Sequence, residues 1–418
     1  MITAIRGTQD ILPADVGRWQ LVERVARSVC ERYGYAEIRT PVIEREKLFT
    51  KGTGETTDIV QKEMYAFTDK GGERITLRPE ATPSMVRAFV QHALEQELPF
   101  AKLYSLGPMF RYERPQKGRY RQFHQLDVEA FGVTDPALDA EVIEMAAAFV
   151  AELGIEAVEL VINSVGCAEC RPAFSTALLE ALGERVDSLC GDCRRRAETN
   201  PLRIFDCKVP ADQPIIDALP HTEDYLCEPC KTHFEAVKQH LDAFGLLYRV
   251  SHRLVRGLDY YTRTTFEVLG SALGAQNAML GGGRYDELVK QLGGPDRPGI
   301  GFAAGLERLA LALPDGAADT TPADAFVVAF GDAAWPAVRL LARDLRHAGL
   351  RVLVDYDGRS SKSQMKRANR SGARRVLLLG EDELANNQVT IKEMETGQQH
   401  TVARDQVAAT LLAVARTD

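Results

Sequence analysis

Residues 122–131 (QFHQLDVEAF) end in a strict alternation of polar and apolar side chains. In a β-strand this alternation places Gln125, Asp127 and Glu129 on one face and the intervening apolar residues on the other. Because the apolar face suits a protein core, the polar face is expected to point into a cleft or into water. Amide and carboxylate groups in such a row can present matched acceptors to a small polar ligand, although a solvated sheet face has the same pattern.

The segment just before this strand concentrates positive charge. Between residues 111 and 121 the chain has one acid, Glu113, and the basic residues Arg111, Arg114, Lys117, Arg119 and Arg121. The chain as a whole has 51 Lys and Arg against 59 Asp and Glu, a net charge of −8, so any basic surface must be local. Since arginine binds phosphate oxygens in a bidentate manner, the segment indicates a polyphosphate or nucleic-acid ligand, or simply an exposed hairpin tip.

A second strand candidate, residues 74–80 (RITLRPE), ends at a proline. Pro79 cannot donate a ladder hydrogen bond, so the strand ends or bulges there. This places Glu80 and Thr82 at the rim of the sheet, where binding sites are common. A purely structural role for these two residues fits the pattern as well.

Three other segments carry candidate ligand-binding groups. Residues 253–262 (RLVRGLDYYT) combine Arg256 with two tyrosines. Residues 281–286 (GGGRYD) lack both the lysine of a P-loop and the G-x-G-x-x-G spacing, so their glycines predict a turn. Arg308 falls in the first turn of a helix predicted to begin near Ala304, where it would point toward a phosphate or lie exposed on the helix.

The chain has eight cysteines, and six of them form C-x-x-C pairs: Cys167 and Cys170, Cys190 and Cys193, Cys227 and Cys230. Without an export signal they should be reduced, which favours metal binding over disulfides. The spacing from Cys167 to Cys193 is typical of a zinc ribbon, and Cys207, Cys227 and Cys230 are further candidate ligands. We therefore expect either one structural Zn²⁺ or a set of free thiols.

The elements that must position these groups indicate an α+β domain. Apolar residues at steps of three and four predict helices over 15–34 and 137–153. Alternation predicts strands over 75–80, 101–113, 122–131 and 260–269. Because the strands follow one another without intervening helices, the sheet is predicted to be antiparallel, with 101–113 and 122–131 as a hairpin flanked by helices.

Two changes of pattern predict domain boundaries. Residues 165–247 contain helical stretches and the six paired cysteines, which indicates an inserted, mainly helical domain. Beyond a linker at 314–325, apolar runs alternate with helical stretches (335–347 and 359–371), which indicates an α/β domain with a parallel sheet. The predicted domains are 1–164 with 248–320, the insertion 165–247, and 326–418.

A predicted helix in the last domain is strongly basic. Residues 358–375 contain no acid and seven basic residues: Arg359, Lys362, Lys366, Arg367, Arg370, Arg374 and Arg375. Such a helix can neutralise nucleic-acid phosphates, although a solvated helix face has the same composition.

No apolar run of 18 residues occurs, so a membrane-spanning protein is excluded at this stage. The opening residues MITAIRGTQD also lack the basic-then-apolar pattern of a signal peptide. A cytoplasmic location is therefore expected.

Taken in order, five segments resemble motifs of the class II aminoacyl-tRNA synthetases, and within them the histidyl-tRNA synthetase family. They are TPVIE, FRYERPQ, RLVRGLDYYT, GGGRYD and GIGFAAGLERL. The resemblance extends over about residues 4–415. It implies a class II catalytic domain followed by a C-terminal anticodon-binding domain.

The resemblance implies a role for individual residues. For ATP, it assigns the α-phosphate to the catalytic residues Arg111 and Arg256 and the γ-phosphate to Arg308. For histidine, it assigns the amino group to Glu80, Thr82 and Gln125, with Ala81 beside them, the imidazole to Glu129 and Tyr261, and the pocket lining to Tyr260 and Tyr285. It also assigns Gln116 to the acceptor end of tRNA and Pro41 to a homodimer interface.

The implied activity is two-step. L-Histidine and ATP, with Mg²⁺, form histidyl-adenylate and pyrophosphate, and histidine is then transferred to the 3′ end of tRNA(His). Paralogues of this family act as regulatory subunits of ATP phosphoribosyltransferase, and they lack the anticodon domain and parts of the ATP-binding set. This chain keeps the three arginines and the C-terminal domain, which favours the enzyme. A plain RNA-binding protein would not explain the polar strand.

Overall fold

The computed structural model describes residues 1–98, 100–271, 277–317, 322–357 and 360–415. The chain forms two compact units, residues 1–319 and 320–418. The boundary falls inside the predicted linker, of which residues 318–321 lie outside the described part. The predicted insertion 165–247 belongs to the first unit.

Two sheets build the first unit. In chain order, its strands are β1 (Ala36–Glu37), β2 (Ile43–Arg45), β3 (Tyr65–Thr68), β4 (Arg74–Leu77), β5 (Ala101–Phe110), β6 (Gln122–Phe131), β7 (Val158–Ser164), β8 (Arg249–Val250), β9 (Thr262–Gly270), β10 (Ala278–Arg284) and β11 (Gly299–Gly305). The large sheet has the order β1-β5-β6-β11-β10-β9-β7-β8, and the small one β2-β4-β3. Pro41 lies between β1 and β2, outside both strands.

The large sheet is mixed. Every pair from β5 to β7 is antiparallel, including the predicted hairpin β5–β6, whereas the two outer pairs β1–β5 and β7–β8 are parallel. The prediction of an antiparallel sheet is therefore correct for the strands that carry the polar segment and wrong for the two edges. The edge strands are only two residues long, too short for a period-two pattern to identify.

The helices of the first unit follow in chain order. They are α1 (Val16–Arg32), α2 (Glu46–Gly52), α3 (Thr82–Gln91), α4 (Leu94–Glu97), α5 (Pro136–Glu152), α6 (Cys170–Leu182), α7 (Gly191–Thr199), α8 (Gln213–Asp217), α9 (Glu228–Ala243), α10 (Leu288–Gln291) and α11 (Leu306–Ala312). α1 ends where Gly34 adopts a φ of 78°, a left-handed conformation that glycine adopts without strain. α5 begins after Asp135, whose carboxylate accepts a hydrogen bond from the backbone N–H of Ala137.

The main core lies between the sheet and the helices α1 and α5. Val22 and Val29 of α1 and Ile143 and Phe149 of α5 are buried there, against Val128 of β6. The apolar face of β6 thus points into the core, as the alternation predicted, and its polar face is free to line a site on the other side of the sheet.

A buried polar cluster joins β10, α5 and α9. The side chains of Asp139 and Arg284 are fully buried and form an ion pair, with Arg284 Nε 3.1 Å from Asp139 Oδ1. His233 Nε2 lies 2.8 Å from the other carboxylate oxygen. Although burial opposes ionisation, Arg284 and His233 hold the pKa of Asp139 below its usual value. This cluster attaches the last helix of the insertion to the large sheet.

One sequence prediction about a glycine-rich segment is wrong. Residues 281–283 form the middle of β10 rather than a turn. Glycine is needed in this strand because a side chain would find no space: a Cβ on Gly282 would lie 2.0 Å from the carbonyl oxygen of Gly301. The strand β11 continues to Gly305, and the following helix begins at Leu306, close to the predicted start near Ala304.

The insertion is helical, as predicted. No strand occurs between residues 165 and 247, all of which are described, and a 3₁₀ helix at Pro201–Asp206 follows α7. Each C-x-x-C pair lies at the start of a helix, α6, α7 or α9.

The second unit has its own sheet. Its elements are β12 (Ala325–Ala329), α12 (Trp335–His347), β13 (Val352–Val354), α13 (Ser361–Arg370), β14 (Arg375–Leu379), α14 (Glu381–Ala385), β15 (Gln388–Glu393), β16 (Gln399–Ala403) and α15 (Val407–Ala415). β13, β12 and β14 are parallel neighbours, as predicted, but an unpredicted antiparallel hairpin, β15–β16, extends the sheet beyond β14. No described helix of either unit combines the length and the apolar character needed to cross a membrane.

The basic segment of this unit is divided between helix and sheet. Lys362, Lys366 and Arg370 are exposed on α13, whereas Arg375 lies in β14 and forms an ion pair with Glu393 at 2.8 Å. The helix predicted over 359–371 is therefore confirmed in its described part, but the last basic residues of the segment 358–375 lie beyond it. Arg359 lies outside the described residues.

Candidate active site

A cavity of about 570 Å³ opens over the polar face of β6. It is lined by all but one of the residues assigned to histidine or ATP, namely Glu80, Thr82, Arg111, Gln125, Glu129, Arg256, Tyr260, Tyr261, Tyr285 and Arg308. Residues almost 230 positions apart in the chain thus meet at one site. Ala81 is buried and is not part of the lining, and Gln116 is exposed in the loop before β6.

Glycines on two neighbouring strands create the space for this cavity. Gly301 of β11 pairs with Glu129 of β6, and a Cβ on Gly301 would lie 1.9 Å from the carboxylate oxygen Oε2 of Glu129. On β10, a Cβ on Gly281 would lie 2.6 Å from Nη1 of Arg256. These glycines are therefore needed for close approach and not for a turn.

Two buried carboxylates at the floor of the cavity are held by hydroxyl groups. Glu80 accepts hydrogen bonds from the hydroxyls of Thr53 and, at 2.8 Å, Tyr260. Glu129 accepts from the hydroxyls of Thr82, at 2.5 Å, and Tyr285. Burial raises the pKa of Glu129 to about 8, although both hydroxyls oppose the shift, and it also raises the pKa of Glu80.

Asp127, on the same face of β6 as Glu129, has a different environment. It is 1% exposed, and neither of its carboxylate oxygens has a hydrogen-bond partner among the described residues. Burial raises its pKa to about 8, in spite of the positive charge of Arg78. The amide oxygen of Gln125, on the same face of β6, is also buried without a partner.

Three tyrosines form an aromatic wall beside the carboxylates. The ring of Tyr260 lies 4.8 Å from that of Tyr261 and 5.7 Å from that of Tyr285. All three are less than 10% exposed. A slot of flat rings, hydroxyl groups and carboxylates suits a small planar ring that carries N–H groups.

Three arginines provide positive charge from separate elements. Arg111 donates to the carbonyl oxygen of Pro79 at 2.8 Å, and its guanidinium stands 5.3 Å from the ring of Phe123. Arg256 forms an ion pair with Glu267, and Arg308 donates to the carbonyl oxygens of Ala278 and Gly118. All three line the cavity, so they can converge on one polyanion.

The pKa values of two of these arginines are shifted in opposite directions because their neighbours differ. Burial by itself would lower the pKa of Arg256, but the nearby Glu267 and Tyr261 raise it above its usual value. For Arg308, burial and the neighbouring Arg119 lower the pKa. An anion bound at this end of the cavity would relieve the repulsion between Arg308 and Arg119.

Sequence reasoning missed several residues that line or support the site. Glu267 was not assigned, although its position in β9 could have been found from the alternation in residues 260–269. The insertion also contributes Arg196, Arg203 and Lys208 to the cavity wall. Arg196 and Arg203 lie 3.5 and 3.7 Å from Asp58, a contact between distant segments that no local pattern indicates.

The paired cysteines form two groups, and the grouping differs from the predicted zinc ribbon. Cys167 and Cys170 lie with Cys227 and Cys230, not with Cys190 and Cys193. The second group consists of Cys190, Cys193, Cys207 and Asp212. In each group the four ligand atoms lie within 4.8 Å of one another, and all eight cysteines are free thiols. The zinc-ribbon prediction was wrong because the spacing of the cysteine pairs along the sequence does not determine which helix N-termini lie side by side in the fold.

Comparison with known proteins identifies the same two units. A family model described as histidyl-tRNA synthetase matches residues 7–198 and 209–309, and one described as anticodon binding domain matches residues 324–413. Two curated relatives are the histidine–tRNA ligases of Anaeromyxobacter sp. (strain K) and Syntrophotalea carbinolica. They are 52% and 49% identical to the chain, cover 98% of it in each case, and match over 99% and 98% of their own lengths.

A solved structure agrees with these relatives. The crystal structure of apo Staphylococcus aureus histidyl-tRNA synthetase is 38% identical and superposes with a TM-score of 0.82, covering 98% of this chain and all of that one. A Bacillus halodurans structure titled as an ATP phosphoribosyltransferase regulatory subunit/histidyl-tRNA synthetase is 21% identical with a TM-score of 0.66 over 91% of this chain and 98% of its own, which shows the fold alone.

Proposed function

The chain belongs to the histidyl-tRNA synthetase family, and from this membership we propose how its own residues carry out the reaction. Its activity is that of a histidine–tRNA ligase: it joins L-histidine to tRNA with consumption of ATP. The alternative of a regulatory subunit has less support, because near-full-length relatives at about half identity are ligases. The observation that carries the proposal is the convergence of three arginines and three buried acids on one cavity.

Histidine is proposed to bind over the polar face of β6. The imidazole would lie between Glu129 and Tyr261, with its N–H donating to the carboxylate, and Tyr260 and Tyr285 would flank it. The amino group would meet Glu80, Thr82 and Gln125. Glu129 and Glu80 are already oriented by neighbouring hydroxyls, so little rearrangement is needed when the ligand arrives.

The arginines are proposed to bind ATP. Arg111 and Arg256 would hold the α-phosphate, and Arg308 the γ-phosphate. The carboxylate of histidine then attacks the α-phosphorus in line, and pyrophosphate leaves. This step needs no protein nucleophile, since positioning and stabilisation of charge on the phosphate oxygens lower the barrier. Mg²⁺, which this class of enzyme uses with ATP, supplies further neutralisation of the phosphate charge when it is bound.

Selection of histidine follows from the same buried groups. An amino acid without an imidazole would leave Glu129 and the surrounding hydroxyls without partners in a dry pocket. Sites of this kind reject such analogues by roughly 10⁴-fold or more. The pocket is therefore expected to discriminate without a separate editing activity.

The test is amino-acid-dependent exchange of pyrophosphate into ATP, run with each of the twenty amino acids. We expect exchange with histidine alone. No exchange with any amino acid would overturn the enzymatic proposal and favour a regulatory role, whereas exchange with another amino acid would overturn the pocket assignment.

The second unit is proposed to read the anticodon of tRNA(His). The exposed Lys362 and Lys366 on α13 are placed to contact phosphates, whereas Arg367 is engaged by Asp355 and Asp357 at 2.8 Å each. Lys362→Glu with Lys366→Glu should raise the KM for tRNA at least tenfold and leave pyrophosphate exchange unchanged. Equal effects on both reactions, or none on tRNA, would contradict this assignment. Lys238→Glu, on α9 of the first unit, is the control.

We also propose a homodimer and a structural zinc ion. The apolar side chains of Ile43 and Phe67, in the small sheet near Pro41, are 52% and 43% exposed, which suits an interface between copies.

Zinc fits the four-cysteine group: Cys167 Sγ lies 3.7 Å from Cys170 Sγ and 3.8 Å from Cys227 Sγ. In a tetrahedral site with Zn–S bonds of about 2.3 Å, the sulfur atoms lie about 3.8 Å apart.

A further inference from the structure

The second cysteine group has the features of a separate metal site. Cys190 and Cys193 lie at the start of α7, and Cys207 and Asp212 follow the 3₁₀ helix at Pro201–Asp206. Cys190 Sγ lies 3.9 Å from Cys207 Sγ, which in turn lies 3.2 Å from Asp212 Oδ2. Three sulfur atoms and one carboxylate oxygen within 4.8 Å of one another match the ligand number and spacing of a tetrahedral zinc site.

The surroundings of Asp212 support a ligand role. Its carboxylate is 2% exposed, and both oxygens accept a hydrogen bond from the backbone N–H of Cys190, at 3.2 and 3.1 Å. The carboxylate is thus held in one orientation by the same segment that provides two of the sulfur ligands. Metal ligands are commonly oriented in this way by hydrogen bonds from neighbouring groups.

We propose that Cys190, Cys193, Cys207 and Asp212 bind a second zinc ion, distinct from the four-cysteine site. The two sites have different structural consequences. The four-cysteine group joins the start of α6 to the start of α9, and so closes the insertion at its two ends. The three-cysteine group acts inside the insertion, between α7 and residue 212.

The second site supports one wall of the active-site cavity. The segment between its first and last ligand contains Arg196, Arg203 and Lys208, all of which line the cavity. A metal ion at the site would fix the path of this segment on both sides of these residues. The zinc would therefore shape the basic wall without contact with the substrate.

The test is the zinc content of the full-length chain, purified without chelator and measured by elemental analysis. We expect two zinc ions per chain in the wild type and about one in each of Cys207→Ala and Cys227→Ala. Cys30→Ala, which changes a buried cysteine outside both groups, should keep two. Asp212→Asn, a milder change, should release one zinc to a chelator at least tenfold faster than the wild type.

The outcomes separate the two sites. One zinc per chain, lost in Cys227→Ala and kept in Cys207→Ala, would overturn the second site and leave the first. The reverse pattern would support the second site and overturn the first, and a zinc-free wild type would overturn both. Because the wild-type stoichiometry needs no variant, the test holds even if one variant fails to fold.

An independent observation concerns Asp127, which no role in the reaction yet accounts for. It is the one acid on the polar face of β6 whose oxygens both lack partners among the described residues. Its neighbours on that face are Gln125 and Glu129, the proposed contacts of the amino group and the imidazole of histidine. A buried carboxylate without a hydrogen-bond partner is costly, and a cationic ligand group would reduce that cost.

We infer that Asp127 binds the α-ammonium group of the amino-acid substrate. This inference rests on the proposed histidine pocket and adds a charged partner to it. The contact would orient the histidine carboxylate toward the α-phosphate, because the ammonium and carboxylate groups share one carbon atom. The role is one of substrate binding, since no proton or bond of the reaction passes through Asp127.

The test compares L-histidine with its analogue that lacks the amino group, imidazolepropionate, by calorimetric binding. Wild type should bind histidine at least tenfold more tightly, and Asp127→Asn should lose most of that preference while binding the analogue as before. If Asp127→Asn weakens both ligands equally, its role is structural and the inference is wrong. If wild type binds neither ligand, the histidine pocket itself is overturned.

Discussion

Asp127 and Asp139 are both buried aspartates of the first unit, yet their environments are opposite. Asp139 has an ion pair with Arg284 and a contact with His233, and its pKa is held below the usual value. Asp127 has no hydrogen-bond partner among the described residues, and burial raises its pKa to about 8. The buried carboxylate of Asp139 is thus neutralised by groups of the same chain, whereas that of Asp127 has no hydrogen-bond partner among the described residues.

This difference distinguishes a structural cluster from a binding site. In the α5–β10 cluster every charge has a partner, so the cluster stabilises the fold and needs nothing from outside. In the cavity, Arg256 pairs with Glu267, but Glu80, Asp127 and Glu129 form no ion pair among the described residues and remain available to a cationic group of a ligand. Arg111, Arg256 and Arg308 line the same cavity and can meet the phosphates of that ligand. A substrate composed of an amino acid and ATP provides both.

The largest effect is expected from the structural cluster. Arg284→Ala leaves Asp139 buried without its cation, which should lower the free energy of unfolding by roughly 3–5 kcal/mol. Urea denaturation followed by circular dichroism measures this change. Asp127→Asn is the matched comparison and should change the stability far less, because neither carboxylate oxygen of Asp127 has a hydrogen-bond partner to lose among the described residues. Similar losses in the two variants would contradict the distinction between the regions.

The next effect concerns the cavity. Arg256→Ala should slow pyrophosphate exchange by roughly 10²–10³-fold, since the lost guanidinium stabilises charge that develops on the phosphate in the transition state. Histidine binding should persist. Arg249→Ala, which removes an exposed arginine paired with Glu159, should leave exchange unchanged. An unaltered rate in Arg256→Ala would exclude this residue from the reaction.

A third effect is a pH dependence that separates the two regions. Asp127 and Glu129 have pKa values raised to about 8 from 3.8 and 4.5, so the folded, ligand-free protein holds protons that the unfolded chain releases. Stability should therefore be highest at the acid end of this range and fall as the pH rises toward about 8. Asp139, whose pKa is lowered, contributes in the opposite sense: its stabilisation is present above 3.8 and is lost in stronger acid.

Thermal unfolding at about pH 5 and about pH 8 measures this slope. Asp127→Asn combined with Glu129→Gln should reduce the difference in melting temperature between the two pH values. An unchanged slope would mean that these carboxylates are ionised in the folded protein at both pH values, which would contradict their raised pKa values.

The sequence was informative wherever a short pattern decides the structure. The alternation in residues 122–131 predicted both the bounds of β6 and the face that carries Gln125 and Glu129. Helix α12 was likewise predicted with the bounds that the structure shows. Such patterns succeed because the period of a strand or a helix is set by its own backbone geometry.

The same local reasoning failed where contacts between distant segments determine the structure. The triple glycine of residues 281–283 was predicted to be a turn, but packing of β10 against β11 and the approach of Arg256 require it in a central strand. The cysteine pairs were grouped by their spacing, whereas the folded insertion places Cys167 beside Cys227 instead.

By itself, the sequence determined the family, the order of the motifs and the faces of individual elements, since these depend on residues a few positions apart. Only the tertiary structure decided which buried acid receives a cation. Asp139 and Arg284 are 145 positions apart, and no local pattern distinguishes Asp139 from Asp127. The free energy of a buried charge depends on the groups that surround it in space, and the fold alone brings those groups together.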